Sequence, residues 1–376
     1  NYASESVRNY SNSIFTNKYA EGYPGKRYYA GCENADEVEN LAISRGKKLF
    51  SSKHINVQPH SGSQANMAAY VSLLKPGDKI LSLSLDHGGH LSHGHNVNFS
   101  GKIYEIHNYY LNRESELLDY DQINDIAEKV KPKLIICGYS AYSRIIDFNK
   151  FKSISQKVDS LLMADIAHIA GLVVSGKHPS PVGIADIITS TTHKTLRGPR
   201  GGLAIIREDL SSKYDRGVFP AIQGGPLMNT ILAKAAAFEE ALSDNFIEYS
   251  QQIIDNAKVL ANLFLDRGLR LVSGGTDNHL MLIDTRSIGI NGDEAENKLN
   301  EVGIVVNKNA IPFDPMPPKI TSGIRIGTPA ITSRQISNDD LLKIGDVIVD
   351  CLSTSSKNTS VFSKEVQKIM NKLPLP

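Results

Sequence analysis

Residues 184–206 read IADIITSTTHKTLRGPRGGLAII. Two apolar runs, Ile184–Thr189 and Leu203–Ile206, enclose a glycine-rich turn that carries Lys194 between His193 and Thr195. Short apolar runs without strict alternation are the pattern of strands buried on both faces of a sheet. A lysine at the end of such a strand lies where open α/β sheets hold ligands. Similar runs recur upstream at Ile80–Leu83, Ile103–Ile106, Leu134–Cys137 and Leu161–Ala164, spaced by amphipathic stretches such as Tyr120–Val130. Together they predict an α/β domain, a mostly parallel sheet covered by helices.

Downstream, the alanines around 233–237 predict one long helix over Pro226–Phe246, and a second over Tyr249–Arg267 that stops at Gly268. The pattern then resets to shorter α+β units at His279–Ile283, Glu294–Val302, Ile304–Val306, Ile324–Ile326 and Asp339–Cys351. The first fifty residues hold six tyrosines and little apolar periodicity, and are expected to form an arm that packs on something else. The division expected is an arm over 1–47, a large domain over 48–247 and a smaller α+β domain over 248–376.

The 376 residues are enough for two such cores. Hydrophobic residues make up 41% and charged residues 22%, and no apolar run reaches the length of a bilayer span. A net charge of +1 with the two signs mixed leaves no footprint for a polyanion, so neither nucleic acid nor membrane is expected as a partner. Three scattered cysteines, Cys32, Cys137 and Cys351, suit a reducing compartment, and the cytoplasm is expected. The chain opens at Asn1 without a methionine, which leaves targeting by a leader open.

Three features carry chemistry. Ser61, Gly62 and Ser63 follow an apolar strand and open a helix, where free N–H groups, hydroxyls and the helix dipole hold a phosphate; an ordinary helix cap has the same letters. Asp165 follows the run Leu161–Ala164, as either a ligand carboxylate or a helix cap, and His168 returns to its face one turn on. Lys194, beside Thr191 and His193, is an amine whose surroundings favour a lowered pKa and attack on a carbonyl, the alternative being a point charge for phosphate. Pyridoxal 5′-phosphate needs all three: the cup for its phosphate, the lysine for its aldehyde and the carboxylate for its pyridine nitrogen. Arg325, between Ile324 and Ile326, points to the opposite face of its strand and presents a fork for a carboxylate. The histidines 87, 90, 93 and 95 offer a competing metal site, without the HExxH helix or paired cysteines that usually accompany one; Gly88 and Gly89 suggest instead a tight loop whose backbone comes close to a ligand.

Ten segments in order, NKYAEGYPGKRYY (17–29), NVQPHSGSQAN (56–66), HGGHLSHG (87–94), SAYSR (140–144), DIAHIAGL (165–172), TTHKTLRGPRGG (191–202), QGGP (223–226), SGGTDNHLM (273–281), NKNAIPFDP (307–315) and TSGIRIGTPA (321–330), make the chain closely resemble serine hydroxymethyltransferases over nearly its whole length. The resemblance implies a fold-type I pyridoxal-phosphate enzyme with a seven-stranded sheet. It also implies a homodimer or dimer of dimers that converts serine and tetrahydrofolate to glycine and 5,10-methylenetetrahydrofolate.

By the same resemblance Lys194 carries the cofactor covalently and Asp165 pairs with its ring nitrogen, while His90 stacks on the ring. Ser61, Gly62 and Ser63 hold the phosphate, Ser140 and His168 approach the phenolic oxygen, and Arg325 grips the substrate carboxylate. Thr191 and His193 are expected beside the lysine. Glu21 would manage the proton of the serine hydroxyl, with Tyr29 near the substrate and Tyr19 near the phosphate; these three and Gly225 would come from the partner subunit. Folate would lie against Leu85, Gly89, His90, Leu91, Asn309 and the segment Met316, Pro317, Pro318. No metal is expected. Two departures stand out. The family carries Ser-Glu-Asn where this chain begins at Asn1, so a serine that contacts the carboxylate, and the helix before it, are expected to be missing, which makes an impaired subunit one alternative; a folate-independent aldolase or racemase of the same cofactor class is another. The family commonly has Ser-Pro-Phe at 316–318, so the folate contact there is expected to differ.

Overall fold

The computed structural model describes residues 1–354 and 359–376. The segment quoted above folds as an antiparallel pair: Ile187–Thr191 and Gly202–Ile206 lie in register from Ile187 opposite Ile206 to Thr191 opposite Gly202. The loop between them is closed by Thr192, whose hydroxyl donates to the Pro199 carbonyl at 2.6 Å and whose own carbonyl accepts from the Gly198 amide at 2.7 Å. The strand starts later than expected, because Ile184 and Ala185 turn back to the Pro181 carbonyl.

This pair sits in a seven-stranded sheet ordered Ile55–Asn56, Gly202–Ile206, Ile187–Thr191, Leu161–Asp165, Leu134–Cys137, Lys79–Leu83, Glu105–Tyr109. All neighbours are parallel except Gly202–Ile206, which runs against both of its own. The inner strands are buried along nearly their whole length, which is why they read as continuous apolar runs. The edge strand is Glu105–Tyr109 and not Ile103–Ile106: Asn98 caps a short helix, Phe99–Ile103, by accepting from the Ser100 amide, and Ile103 closes that helix.

The tyrosine-rich arm holds more regular structure than its composition suggests. The helix Glu5–Ser11 lays Val7 against Ala233 and Ala237, and the helix Glu33–Phe50 packs on the same neighbour, Met228–Ala241. The buried face of Glu33–Phe50 is Ala35, Glu39, Ala42 and Gly46, small residues and one carboxylate at helical spacing, with large apolar side chains, Leu49 and Phe50, only in the last turn, so no continuous apolar stripe announces it. Gly46 is small for a reason: a Cβ there would meet Ile55 at 2.8 Å.

The long helix expected over Pro226–Phe246 is two. Met228–Ala241 ends, and Ser243 caps a new helix, Asp244–Asp266, by accepting from the Phe246 amide. Phe246, Ile253 and Ile254 belong to the core under the sheet, whereas Ala257, Leu260 and Phe264 belong to a second core, so this one helix serves both. The second core covers an antiparallel four-stranded sheet ordered Arg270–Leu271, Leu280–Asp284, Gly323–Gly327, Asn307–Asn309, with the helices Gly292–Glu301 and Asn338–Ser353. Ile304–Val306 is not a strand: the Ile304 amide bonds the Leu299 carbonyl to finish the preceding helix, and pairing begins only at Asn307. Among the described residues no helix is long and apolar enough to cross a membrane.

Candidate active site

The carboxyl ends of the parallel strands open onto a void of about 260 Å³ lined by Ser61, Gly62, Ser63, His90, Ser140, Asp165, His168, Thr191, His193 and Lys194, together with His93, Tyr139, Ala167 and Arg200. Every residue of the expected phosphate cup, and the expected lysine and carboxylate, therefore faces one space. A second void of about 630 Å³ shares Lys194 and His168 and adds Arg325, His279 and Asn307.

At the cup, Ser61 is the N-cap of the helix Gly62–Leu73 and accepts from the Gln64 amide at 3.2 Å. The amides of Gly62 and Ser63 are in the first turn, beyond intrahelical bonding, and remain as donors at the positive end of the dipole. A Cβ on Gly62 would lie 2.7 Å from Cγ2 of Thr191, and one on Gly202 would lie 2.3 Å from the Ser61 carbonyl, so the cup is pressed against the strands that flank the lysine loop.

Asp165 is 8% exposed. One carboxylate oxygen accepts from His93 Nε2 and from Asn66 Nδ2, each at 2.9 Å; the other accepts from the Ala167 amide at 3.0 Å. Burial pushes this carboxyl up, but the hydrogen bond and charge of His93, then His90 and Asn66, outweigh burial and hold it far below the usual carboxylate range. It stays ionised. His90 is the reverse case: burial, with His93 and Lys194 adding to it, lowers its imidazole to about 4. His168 is pulled well down by burial, Lys194, His279 and Arg325 in turn, so both rings are neutral at pH 7. His193 falls to about 4 through burial and then Arg200 and Lys194.

Burial lowers the Lys194 amine, Asp165 opposes the change, and Arg325 and Arg200 reinforce it. Its own carbonyl is held by the Asn1 side chain at 3.0 Å and by the Arg197 amide at 3.1 Å. Arg325 lies between Ile324 and Ile326, both buried, and is turned to the void; it donates to the Ser140 carbonyl at 2.9 Å and to Asn307 at 3.4 Å. Among the described residues no carboxylate pairs with it, and burial lowers even this guanidinium.

The histidine loop is engaged by the protein itself. His87 accepts from the Leu111 amide at 3.1 Å and packs edge-on against Phe313, while His93 is committed to Asp165. Among the described residues no three His, Cys, Asp or Glu side chains form a ligand set for a metal ion. Gly88 and Gly89 do make a close approach, but to backbone and not to a ligand space: a Cβ on Gly88 (φ +108°) would strike the Ala141 carbonyl at 2.6 Å, and one on Gly89 the Leu83 carbonyl at 2.3 Å. The loop is thereby tied to SAYSR, whose Ser140 amide bonds the Gly88 carbonyl at 2.8 Å.

Tyr19, Glu21, Tyr29 and Gly225 line neither void. They form their own cluster: Tyr19 donates to Glu21 at 3.4 Å, its ring meets that of Tyr29 edge-on at 5.4 Å, and it lies within 3.8 Å of where a Gly225 Cβ would be. Tyr19 and Tyr29 are 60% and 50% exposed, unusual for two packed aromatics. Leu85, Gly89, Leu91, Asn309, Met316, Pro317 and Pro318 also lie outside the voids. Their two loops are joined through His87 and Phe313, and Asp314 gathers the second by accepting from the amides of Ile311, Met316 and Ser322.

Sequence reasoning passed over three residues. Asn66 is a hub that donates to Asp165 and Ser92 and accepts from Thr189 at 2.6 Å. Gln223 accepts from the His60 amide and donates to the Gln58 carbonyl, fastening the QGGP turn to the cup. His279 stacks on His168 with ring centroids 5.6 Å apart. All three stood inside the ten segments, but no spacing rule connects residues so far apart in the chain.

A large, mostly parallel sheet with a lysine, a carboxylate and a phosphate cup at its carboxyl edge defines a fold-type I pyridoxal-phosphate enzyme. The profile of the family described as serine hydroxymethyltransferase matches residues 1–348. Serine hydroxymethyltransferase 1 of Pseudomonas fluorescens is 54% identical over 96% of this chain and 88% of its own length. Serine hydroxymethyltransferase of a Nostoc species is 53% identical over all of this chain and 88% of its own. The chain belongs to the serine hydroxymethyltransferase family.

Proposed function

We propose that the chain transfers the hydroxymethyl group of serine reversibly to tetrahydrofolate, giving glycine and 5,10-methylenetetrahydrofolate, with pyridoxal phosphate carried on Lys194. The observation that supports it is the convergence of Ser61–Ser63, Asp165 and Lys194 on one void. The donor set suits the cofactor. The free amides of Gly62 and Ser63 answer a phosphate, the ionised Asp165 answers a protonated ring nitrogen, and a desolvated amine answers an aldehyde. When bound, the cofactor supplies an electron sink for the charge left on the α-carbon as the hydroxymethyl group departs.

The remaining work falls to side chains. Lys194 would hold the cofactor through its aldehyde, the group to which the amine of serine also binds. Arg325, half-buried without a carboxylate of its own, would take the substrate carboxylate in a bidentate grip and so orient the substrate at the α-carbon. With the cofactor bound, neutral His90 would lie against its ring and neutral His168 and Ser140 would address its phenolic oxygen, while Thr191 and His193 line the same void as the lysine. We assign to Glu21 the proton of the serine hydroxyl, with Tyr29 beside the substrate and Tyr19 beside the phosphate. We assign this trio and Gly225, which line neither void of their own chain, to the cleft of a second copy, in a homodimer or dimer of dimers. The two loops joined at His87 and Phe313 receive folate. We read 48–247 as the cofactor-binding domain, 248–376 as the smaller domain and 1–47 as the arm, and place the protein in the cytoplasm.

Purified protein is expected to be yellow and to retain a borohydride-reduced adduct on Lys194, and glycine with tetrahydrofolate to produce a new visible band. A Lys194→Ala variant that still formed a reducible adduct would overturn the role of the lysine; a glycine complex indifferent to folate would point to a folate-independent aldolase or racemase.

A further inference from the structure

Lys234 is 1% exposed, on the helix Met228–Ala241, whose other buried residues are all apolar: Met228, Ile231, Phe238 and four alanines. Its Nζ donates to three main-chain carbonyls: Val57 at 2.6 Å, Gly202 at 2.8 Å and Pro59 at 3.1 Å. Three acceptors around one amine match the three protons of an ammonium. Among the described residues no carboxylate lies within ion-pair distance of it; the nearest acidic influence is Glu39, which is itself paired with Arg27 at 2.7 Å. An unpaired buried charge is costly: burial pulls this amine down to about 7 against the weaker pull of Glu39, so an anion close by decides whether it is held as an ammonium.

The positions of the three carbonyls indicate what answers it. Val57 and Pro59 lead directly into Ser61, and Gly202 ends the loop that carries Lys194. The Gly202 amide bonds the same Pro59 carbonyl at 2.9 Å. Gly201 has no side chain where the lysine stem passes: a Cβ there would lie 2.6 Å from Cε of Lys234. One amine thus gathers the segment before the cup and the strand after the lysine loop, and it does not line the void itself.

We infer that Lys234 is a positioning residue for the cofactor phosphate: it fixes the cup against the lysine loop and leaves a positive charge behind the cup that the phosphate dianion balances. The inference rests on reading Ser61–Ser63 as a phosphate site. It separates from a simple role in packing, because a charge behind the cup acts on the phosphate and a packing defect acts on any ligand of the cleft.

The test compares apoprotein affinity for pyridoxal phosphate with that for pyridoxal, which has the same aldehyde and ring and no phosphate, in the wild type and in Lys234→Met, Lys234→Gln and Lys234→Arg. The preference of the wild type for the phosphorylated aldehyde is expected to fall on the order of tenfold in the Met and Gln variants, as loss of one partly screened charge implies, and to be largely retained in Arg. Circular dichroism reports whether each apoprotein is folded. An equal loss of affinity for both aldehydes, or failure of all three variants to fold, would overturn the inference in favour of a purely structural lysine. A wild-type protein that did not prefer the phosphorylated aldehyde would instead remove the phosphate site itself.

Discussion

His93 donates to Asp165 at 2.9 Å from a ring that is 2% exposed, so the carboxylate expected to face the cofactor ring is oriented from behind by a histidine of a different loop. Charge-assisted bonds of this kind are worth about 1.5–3 kcal/mol. Replacing His93 by Leu is expected to let the Asp165 carboxyl rise and to weaken cofactor retention by roughly tenfold to a hundredfold. Dialysis of the variant against buffer, followed by its visible spectrum, measures this; unchanged retention would show that Asn66 and the Ala167 amide suffice.

Arg325 is matched to a carboxylate by its planar fork, which a lysine lacks. Arg325→Lys is expected to raise the KM for serine by at least about tenfold, the cost of one strong paired contact, while the absorption of the bound cofactor stays as it was. A KM within twofold of the wild type would assign the carboxylate to another group.

Gly62 and Thr191 form a steric pair that admits a direct test. Gly62→Ala places a methyl 2.7 Å from Cγ2 of Thr191, an overpacking expected to cost about 1–3 kcal/mol, more than the gain of roughly 0.5–1 kcal/mol from replacing a helical glycine. Adding Thr191→Ser removes Cγ2 and should recover most of that loss in thermal unfolding of the apoprotein. Failure of the double variant to recover would locate the strain elsewhere in the cup.

The buried imidazoles set an acid limit. Folded His90 and His193 titrate near 4 and His279 near 3, against an ordinary value of about 6.5. Between those values the unfolded chain binds protons that the folded chain does not, so stability rises with pH in this window and is lost as pH falls from about 6.5 towards 4. Unfolding midpoints of the apoprotein at pH 7, 6 and 5 should decline in order, and His279→Gln should flatten the decline. A flat profile in the unmodified chain would contradict the burial of these rings as neutral species.

The parallel strands and the groups at their ends were legible because each lies in one short run with its own signal: an apolar strand, then Ser-Gly-Ser, Asp or Lys. The antiparallel return of Gly202–Ile206 was not, since direction depends on what closes the loop, and Thr192 does so through side-chain and main-chain bonds at once. The helix Glu33–Phe50 escaped notice because most of its inner face is small or charged, and the break at Ser243 because Leu242 and Phe246 continue the apolar helical spacing of Phe238 across it. Lys234 was hidden for a related reason: in sequence it is one more lysine on a helix, and only the fold brings three carbonyls to it.

The cluster of Tyr19, Glu21 and Tyr29 stands apart from the void around Lys194 of the same chain. If each trio completes a neighbour's cleft, polypeptide and catalytic unit cease to correspond one to one. Two inactive variants, Glu21→Gln and Lys194→Ala, would then complement each other: in a mixed pair one cleft collects both lesions and the other receives neither. Co-refolding equal amounts should return about a quarter of full activity if copies pair at random, half the pairs being mixed with one intact cleft in each. Activity would accordingly depend on protein concentration and on the history of subunit exchange.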